Sequence, residues 1–212
     1  MNYVLWFKEC SYKNKELVGG KCSSLGELHN LSKLLNFDIA DGFAITTKLY
    51  DDFVKENNIQ HEIENVLNTI NVDNLVELKE KSDYLKALFE KSKMTDIQIK
   101  EIYENYIDLC NLYGIDVLEV AVRSSALAED MPNASFAGQQ DTYLNVKGKE
   151  KLIYSVKMCF ASLFNARAIS YRKTHNIPIS EVKISVAIQK MVRSDKGSAG
   201  VAFSIDPETG YN

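Results

Sequence analysis

Apolar positions recur along this chain with two different periods, and the changes of period mark the elements. Tyr3 to Phe7 is a short, nearly continuous apolar run that reads as a strand. In "LVGGKCSSLGEL", Gly19 and Gly20 precede a helical pattern that places Leu25, Leu28, Leu31 and Leu35 on or near one face. "GFAIT", from Gly42 to Thr46, is a second strand, and Thr46 or Thr47 is placed to cap a helix over the next ten or so residues. From 57 to 113 the texture is helical, in three segments. Leu75, Leu78, Leu85, Leu88 and Phe89 fall near helical spacing, as do Ile99, Ile102, Tyr103, Tyr106 and Leu109, with Thr95 and Gln98 forming a capping box. This predicts a helical insertion, at about 50–113, packed on a sheet.

After Gly114 the pattern returns to strands. Val117 to Val122 reads as a buried strand, a polar loop of small residues follows, and Thr142 to Val146 is the next strand. Gly148 opens a long helix with Leu152, Val156, Cys159, Phe160 and Leu163 along its apolar stripe. Ile184, Val186 and Ile188 alternate as in a strand; "RSDKGS" is a turn, and "AGVAFSID" is expected to answer as the second arm of a closing hairpin. Strands mixed with helices and a final hairpin predict an α+β fold. No internal repeat or linker divides the 212 residues, and a chain ending in the turn signal "DPETGYN" is expected to be a fragment of something longer.

Composition narrows the function classes. With 29 acidic against 25 basic side chains the net charge is −4, and no basic run or basic–aromatic interleaving points to nucleic acid. The four cysteines lie far apart without a CxxC pair, and the three histidines are scattered, which argues against a zinc site and for free thiols in a reducing compartment. No signal-peptide pattern starts the chain and no segment is long enough to span a membrane, so a soluble, cytoplasmic protein is expected.

The candidate chemistry is anion binding. Lys21 follows two glycines at the start of a helix, where free amides and a full positive charge favour an anion, although the stretch is not a Walker A loop. Taken alone, a surface lysine beside a turn is the commoner reading. Arg123 ends the apolar strand and needs a partner for its guanidinium: either Glu129 or Asp130 on its own loop, or a phosphate held in bidentate fashion. Ser124, Ser125, Ala126, Ala134, Ser135, Ala137 and Gly138 are small enough to let backbone amides approach an anion. Gly138 supplies a bare amide and Thr142 a hydroxyl where the loop closes; Thr142 is equally explained as a β-branched strand residue. Gln189, between core positions, needs a partner for its amide, either an adenine edge or the protein itself. His29, His61 and His175 share no context that would make one a general base.

Four stretches carry a resemblance: "LVGGKCSSLGEL", "VAVRSSALAEDMPNASFAGQQDTYLNV", "CFASLFNARAISYR" and "QKMVRSDKGSAGVAFSIDPETGY". Together they resemble the N-terminal part of the phosphoenolpyruvate synthase family, along nearly the whole chain though weakly across 57–113. The resemblance implies an ATP-grasp-like nucleotide-binding region. It further implies a larger enzyme in which a swivelling phosphohistidine domain and a pyruvate-binding barrel follow. The implied reaction converts ATP, pyruvate and water to AMP, phosphoenolpyruvate and phosphate, with Mg2+ held by ligands outside this chain. Residue by residue, Lys21 and Arg123 match phosphate-side ligands, Gly138 and Thr142 match loop positions that contact nucleotide, and Gln189 matches the strand amide near the base. Leu127 stands where a threonine is common. Residues 1–212 are then the N-terminal part of the ATP-binding domain, inactive alone, with homo-oligomer formation open for the full-length enzyme. The ATP domain of a related dikinase-type enzyme, such as rifamycin phosphotransferase, and a non-catalytic nucleotide-binding module are the alternatives.

Overall fold

The computed structural model describes residues 2–127, 141–178, 183–206 and 208–210, together with the backbone of 130–131 and 134–135. Seven strands are present among the described residues. Five of them, β1 (Val4–Trp6), β2 (Gly42–Ile45), β3 (Val120–Ala126), β6 (Thr142–Val146) and β7 (Ile184–Lys190), form one sheet in the order β1-β2-β7-β3-β6. Every pairing is antiparallel. The other two, β4 (Asp130–Met131) and β5 (Ala134–Ser135), make a two-stranded ladder in the connection between β3 and β6.

Side chains alternate between the faces of a sheet, and the register assigns each residue to one. On one face lie Phe43, Ile45, Val120, Val122, Ala126, Ile184, Val186 and Ile188, all buried. On the other lie Ala44, Ala121, Arg123, Ser125, Ser185, Ala187 and Gln189, small or polar in every case.

The large-residue face is covered by helices. After α1 (Lys15–Leu35) come α2 (Thr47–Glu56), α3 (Gln60–Thr69), α4 (Leu75–Lys91) and α5 (Asp96–Leu112), and later α6 (Gly148–Ala161) and α7 (Ala166–Thr174). Local chemistry starts and stops several of them. Asn74 accepts hydrogen bonds from the Val76 and Glu77 amides at the head of α4, and Thr95 and Gln98 form a reciprocal capping box on α5. Asn36, left-handed at φ 53°, ends α1. Between these helices and the sheet sits an aromatic cluster. Tyr50 meets Phe160 edge-on at 5.4 Å, Phe53 lies 5.7 Å from Phe160, and Phe89 lies 5.1 Å from Phe164. Arg172, only 5% exposed, holds its guanidinium 5.8 Å above the Phe164 ring; burial lowers its pKa to about 10.

The opposite face is covered by Phe7, from the 3-10 turn after β1, and by α1, which presents a different kind of surface. Its buried residues are Val18, Gly19, Gly20, Cys22, Ser23 and Gly26. Leu28, Leu31 and Leu35 remain exposed, as does Leu34 at 79%. Small side chains on helix and sheet let the two backbones approach closely; a leucine flank turned inward would hold them apart.

Two expectations about strands need correction. Arg123 does not end its strand: β3 runs on through Ser124 and Ser125 to Ala126, because β7 pairs with it along that whole length, whereas the β6 ladder stops at the Arg123–Thr142 pair. The expected closing hairpin is absent. Residues 199–203 are irregular, with Val201 82% and Phe203 67% exposed, since β7 is already flanked by β2 and β3 and has no free edge to offer. Among the described residues no helix is long and apolar enough to cross a membrane.

Candidate functional site

The site is built where α1 crosses β3. Gly19 breaks the helix at φ 72°, ψ 171°, a conformation open to glycine. A Cβ on Gly19 would lie 2.2 Å from the Ser125 carbonyl oxygen, so no larger residue fits without moving the helix off the strand. Ser125 bridges the kink: its hydroxyl donates to the Val18 carbonyl at 3.1 Å and accepts from the Cys22 amide at 3.4 Å. Helical geometry resumes after Gly19, so Lys21 stands in the first turn of the continuing segment. Its Nζ donates to the Ser124 carbonyl at 3.2 Å.

Arg123 lies in the middle of β3, half-buried, paired with Ala187 on one side and Thr142 on the other. Directly paired residues share a face, so Thr142 and Arg123 both point to the α1 side. Gln189 pairs with Ala121 two positions earlier in β3 and joins them there. Its Nε2 donates to the Ala40 carbonyl at 3.0 Å, which leaves the side-chain oxygen as the remaining acceptor. Among the described residues the Arg123 guanidinium has no hydrogen-bond or ion-pair partner. Gly138, Glu129 and the Asp130 side chain lie outside the described residues. The structure thus brings Lys21, Arg123, Thr142 and Gln189 to one face of one sheet, across 168 positions of sequence (189 − 21).

Electrostatics marks the same place. Cys22 is fully buried, and burial raises its thiol pKa to about 11, against hydrogen bonds from Ser185 and Ser125 and the positive charges of Lys21 and Arg123, all of which lower it. Both cations therefore bear on one buried point beneath the face. Two positive charges beside a helix N-terminus and a row of small residues are suited to a polyanion.

Other residues of the site are not evident from sequence reasoning. Asp141, half-buried, accepts from Asn165 Nδ2 at 3.1 Å and from the Tyr143 hydroxyl at 3.3 Å. Its carbonyl accepts from the Ser124 hydroxyl at 3.2 Å and, at a long 3.5 Å, from the Ser124 amide. Asp141 and Asn165 both lie in stretches that carry the resemblance, but nothing in their local sequence shows that they meet. Among the described residues, no group of three or more His, Cys, Asp or Glu side chains is placed to hold a metal ion.

The architecture is a mixed α/β domain with two cations and a row of small residues over one sheet face, and the family match puts it in the class of nucleotide-binding domains. The chain belongs to the family described as pyruvate phosphate dikinase, AMP/ATP-binding domain, which matches residues 15–212. Among similar proteins, the phosphoenolpyruvate synthase of Helicobacter pylori is 45% identical over 211 residues, covering 100% of this chain and 26% of the relative. The phosphoenolpyruvate synthase of Aquifex aeolicus is 42% identical over 209 residues, covering 98% of this chain and 24% of the relative. A probable phosphoenolpyruvate synthase of Methanocaldococcus jannaschii is 39% identical over 207 residues, covering 98% of this chain and 17% of the relative. The chain spans about a quarter of the length of the first two.

Proposed function

We propose that this chain is the ATP-binding part of a phosphoenolpyruvate synthase, and that its fold is ATP-grasp-like. The observation that carries the reading is the convergence of Lys21, Arg123, Thr142 and Gln189 on the α1 face of the sheet, in a chain of the AMP/ATP-binding family. In this reading Arg123 grips phosphate through its planar fork, and Lys21 turns from the Ser124 carbonyl to the same phosphate chain. Thr142 contacts the nucleotide, and Gly138, which lies outside the described residues, is assigned the same role from its match to the family. The free oxygen of Gln189 accepts from the adenine amino group, while its nitrogen stays on Ala40.

ATP phosphates ordinarily carry magnesium, which neutralises charge during transfer; its protein ligands would lie in the remainder of a longer polypeptide. Pyruvate would be handled by the remainder of a longer polypeptide, as would the phosphohistidine that relays the phosphoryl group. Residues 1–212 alone then bind ATP without turning it over.

Calorimetry with ATP tests the binding part on the 212-residue chain. Arg123→Ala is expected to lose one charge-assisted contact, about 1.5–3 kcal/mol, or roughly ten- to a hundredfold in affinity. Lys147→Ala, which removes only a surface pair with Glu119, is expected to leave binding unchanged. In a longer polypeptide, pyruvate-dependent AMP formation should follow the same order. Equal affinity in both folded variants would overturn the assignment.

A further inference from the structure

We infer that Asp141 is a positioning residue: it ties the strand pair carrying Arg123 and Thr142 to the junction of α6 and α7, and so sets where the proposed phosphate ligands stand. This deepens the nucleotide-binding reading and rests on it.

Asp141 immediately precedes Thr142, and Ser124 immediately follows Arg123; Arg123 and Thr142 are paired across the ladder. The flanking Asp141–Ser124 contact locks that pair from one end, through the Asp141 carbonyl and the Ser124 hydroxyl at 3.2 Å. Ser124 in turn presents its own carbonyl to Lys21 Nζ at 3.2 Å. Three proposed ligands therefore depend on the placement of one two-residue contact.

Asp141 is the member of that contact with a second anchor. Strand alternation puts its side chain with Tyr143 on the large-residue face, away from Thr142. There one carboxylate oxygen accepts from Asn165 Nδ2 at 3.1 Å and the other from the Tyr143 hydroxyl at 3.3 Å. Asn165 sits at the head of α7, directly after the turn of buried Ser162, Leu163 and Phe164. That turn belongs to the aromatic core. The rigid side of the molecule thus reaches through Asp141 to the ligand-bearing side. The carboxylate does not itself point to the α1 face, so it acts through the backbone it fixes.

Asp141→Ala and Asn165→Ala, measured by ATP calorimetry on the 212-residue chain, are each expected to weaken binding about tenfold, the scale of a lost hydrogen bond to a charged group. Asp141→Asn is expected to stay within about twofold of the parent, because the new amide oxygen can accept from Asn165 Nδ2 while its nitrogen donates to the Tyr143 hydroxyl oxygen, and the tie is kept without the charge. Amide hydrogen exchange supplies a readout independent of nucleotide. In Asp141→Ala, protection should fall at Arg123, Ser124 and Tyr143 while β1 and β2 keep theirs. Unchanged ATP affinity in Asp141→Ala would overturn the inference, as would an Asp141→Asn as impaired as Asp141→Ala, since the charge itself would then be in use. Should the parent chain bind no ATP, the nucleotide reading fails by itself, and the exchange pattern alone decides the positioning role: unchanged protection at Arg123 and Ser124 would overturn it.

Discussion

The two faces of the central sheet are made from the same five strands and differ in almost everything else. On the α2–α6 side, Phe43, Ile45, Val122, Val186 and Ile188 meet an aromatic cluster, and these residues are bulky and fully buried. On the α1 side, Ala44, Ala121, Ala187, Ser125 and Ser185 are buried, and Arg123 and Gln189 are half-buried among them. One face spends its residues on hydrophobic area, which holds the domain together. The other gives up that area for close backbone approach and for polar groups held at fixed places. A stable scaffold on one side lets the other carry Lys21, held on the Ser124 carbonyl, and Arg123, half-buried in the middle of β3.

Substitutions on the two faces should therefore fail differently. The largest effect belongs to the bulky side: Phe160→Ala empties a fully buried site against Tyr50 and Phe53, and should cost about 3–5 kcal/mol by urea denaturation. Gly19→Ala comes next, on the α1 side. The new Cβ meets the Ser125 carbonyl, and the positive φ is strained, so about 1–3 kcal/mol of stability should be lost, together with ATP affinity. A loss of stability with affinity intact would mean that the kink serves packing alone.

Alkaline pH probes the buried thiol beneath the cations. The Cys22 pKa is raised in the fold, from 9.0 to about 11, so the protonated thiol stabilises the fold fully below pH 9. That contribution is lost as pH climbs towards 11, because the unfolded chain releases the proton first. Cys22→Ser should flatten this part of the stability profile; an unchanged slope would remove Cys22 from the account. The smallest effect is expected at Leu34, where Leu34→Ser should change stability by no more than about 0.5 kcal/mol.

Much of this organisation is legible in the sequence, and the failures have physical causes. The Thr95–Gln98 capping box and the stripe of Leu152, Val156, Cys159 and Phe160 are local signals, and each appears in the structure. The extent of β3 is not local. Arg123 reads as the strand's end, and Ser124 and Ser125 look like loop until β7 is seen to pair with them. Alternation at Val201, Phe203 and Ile205 imitates a strand, but whether a strand forms depends on a free edge elsewhere, and β7 has none. Periodicity put the leucines of α1 on one flank; it could not say that the small residues of the opposite flank would meet the sheet. Lys21, Arg123, Thr142 and Gln189 were each visible as residue types suited to a nucleotide, whereas Asp141 and Asn165 meet only through the fold.

The most direct test of the division between faces is a map of amide chemical shifts on adding ATP to the 212-residue chain. The account predicts that the largest changes fall on Gly20 to Cys22, Arg123, Thr142 and Gln189, with the amides of α4 and α5 unmoved. Changes centred on α4 or α5, or none at the α1 face under saturating ATP, would contradict it.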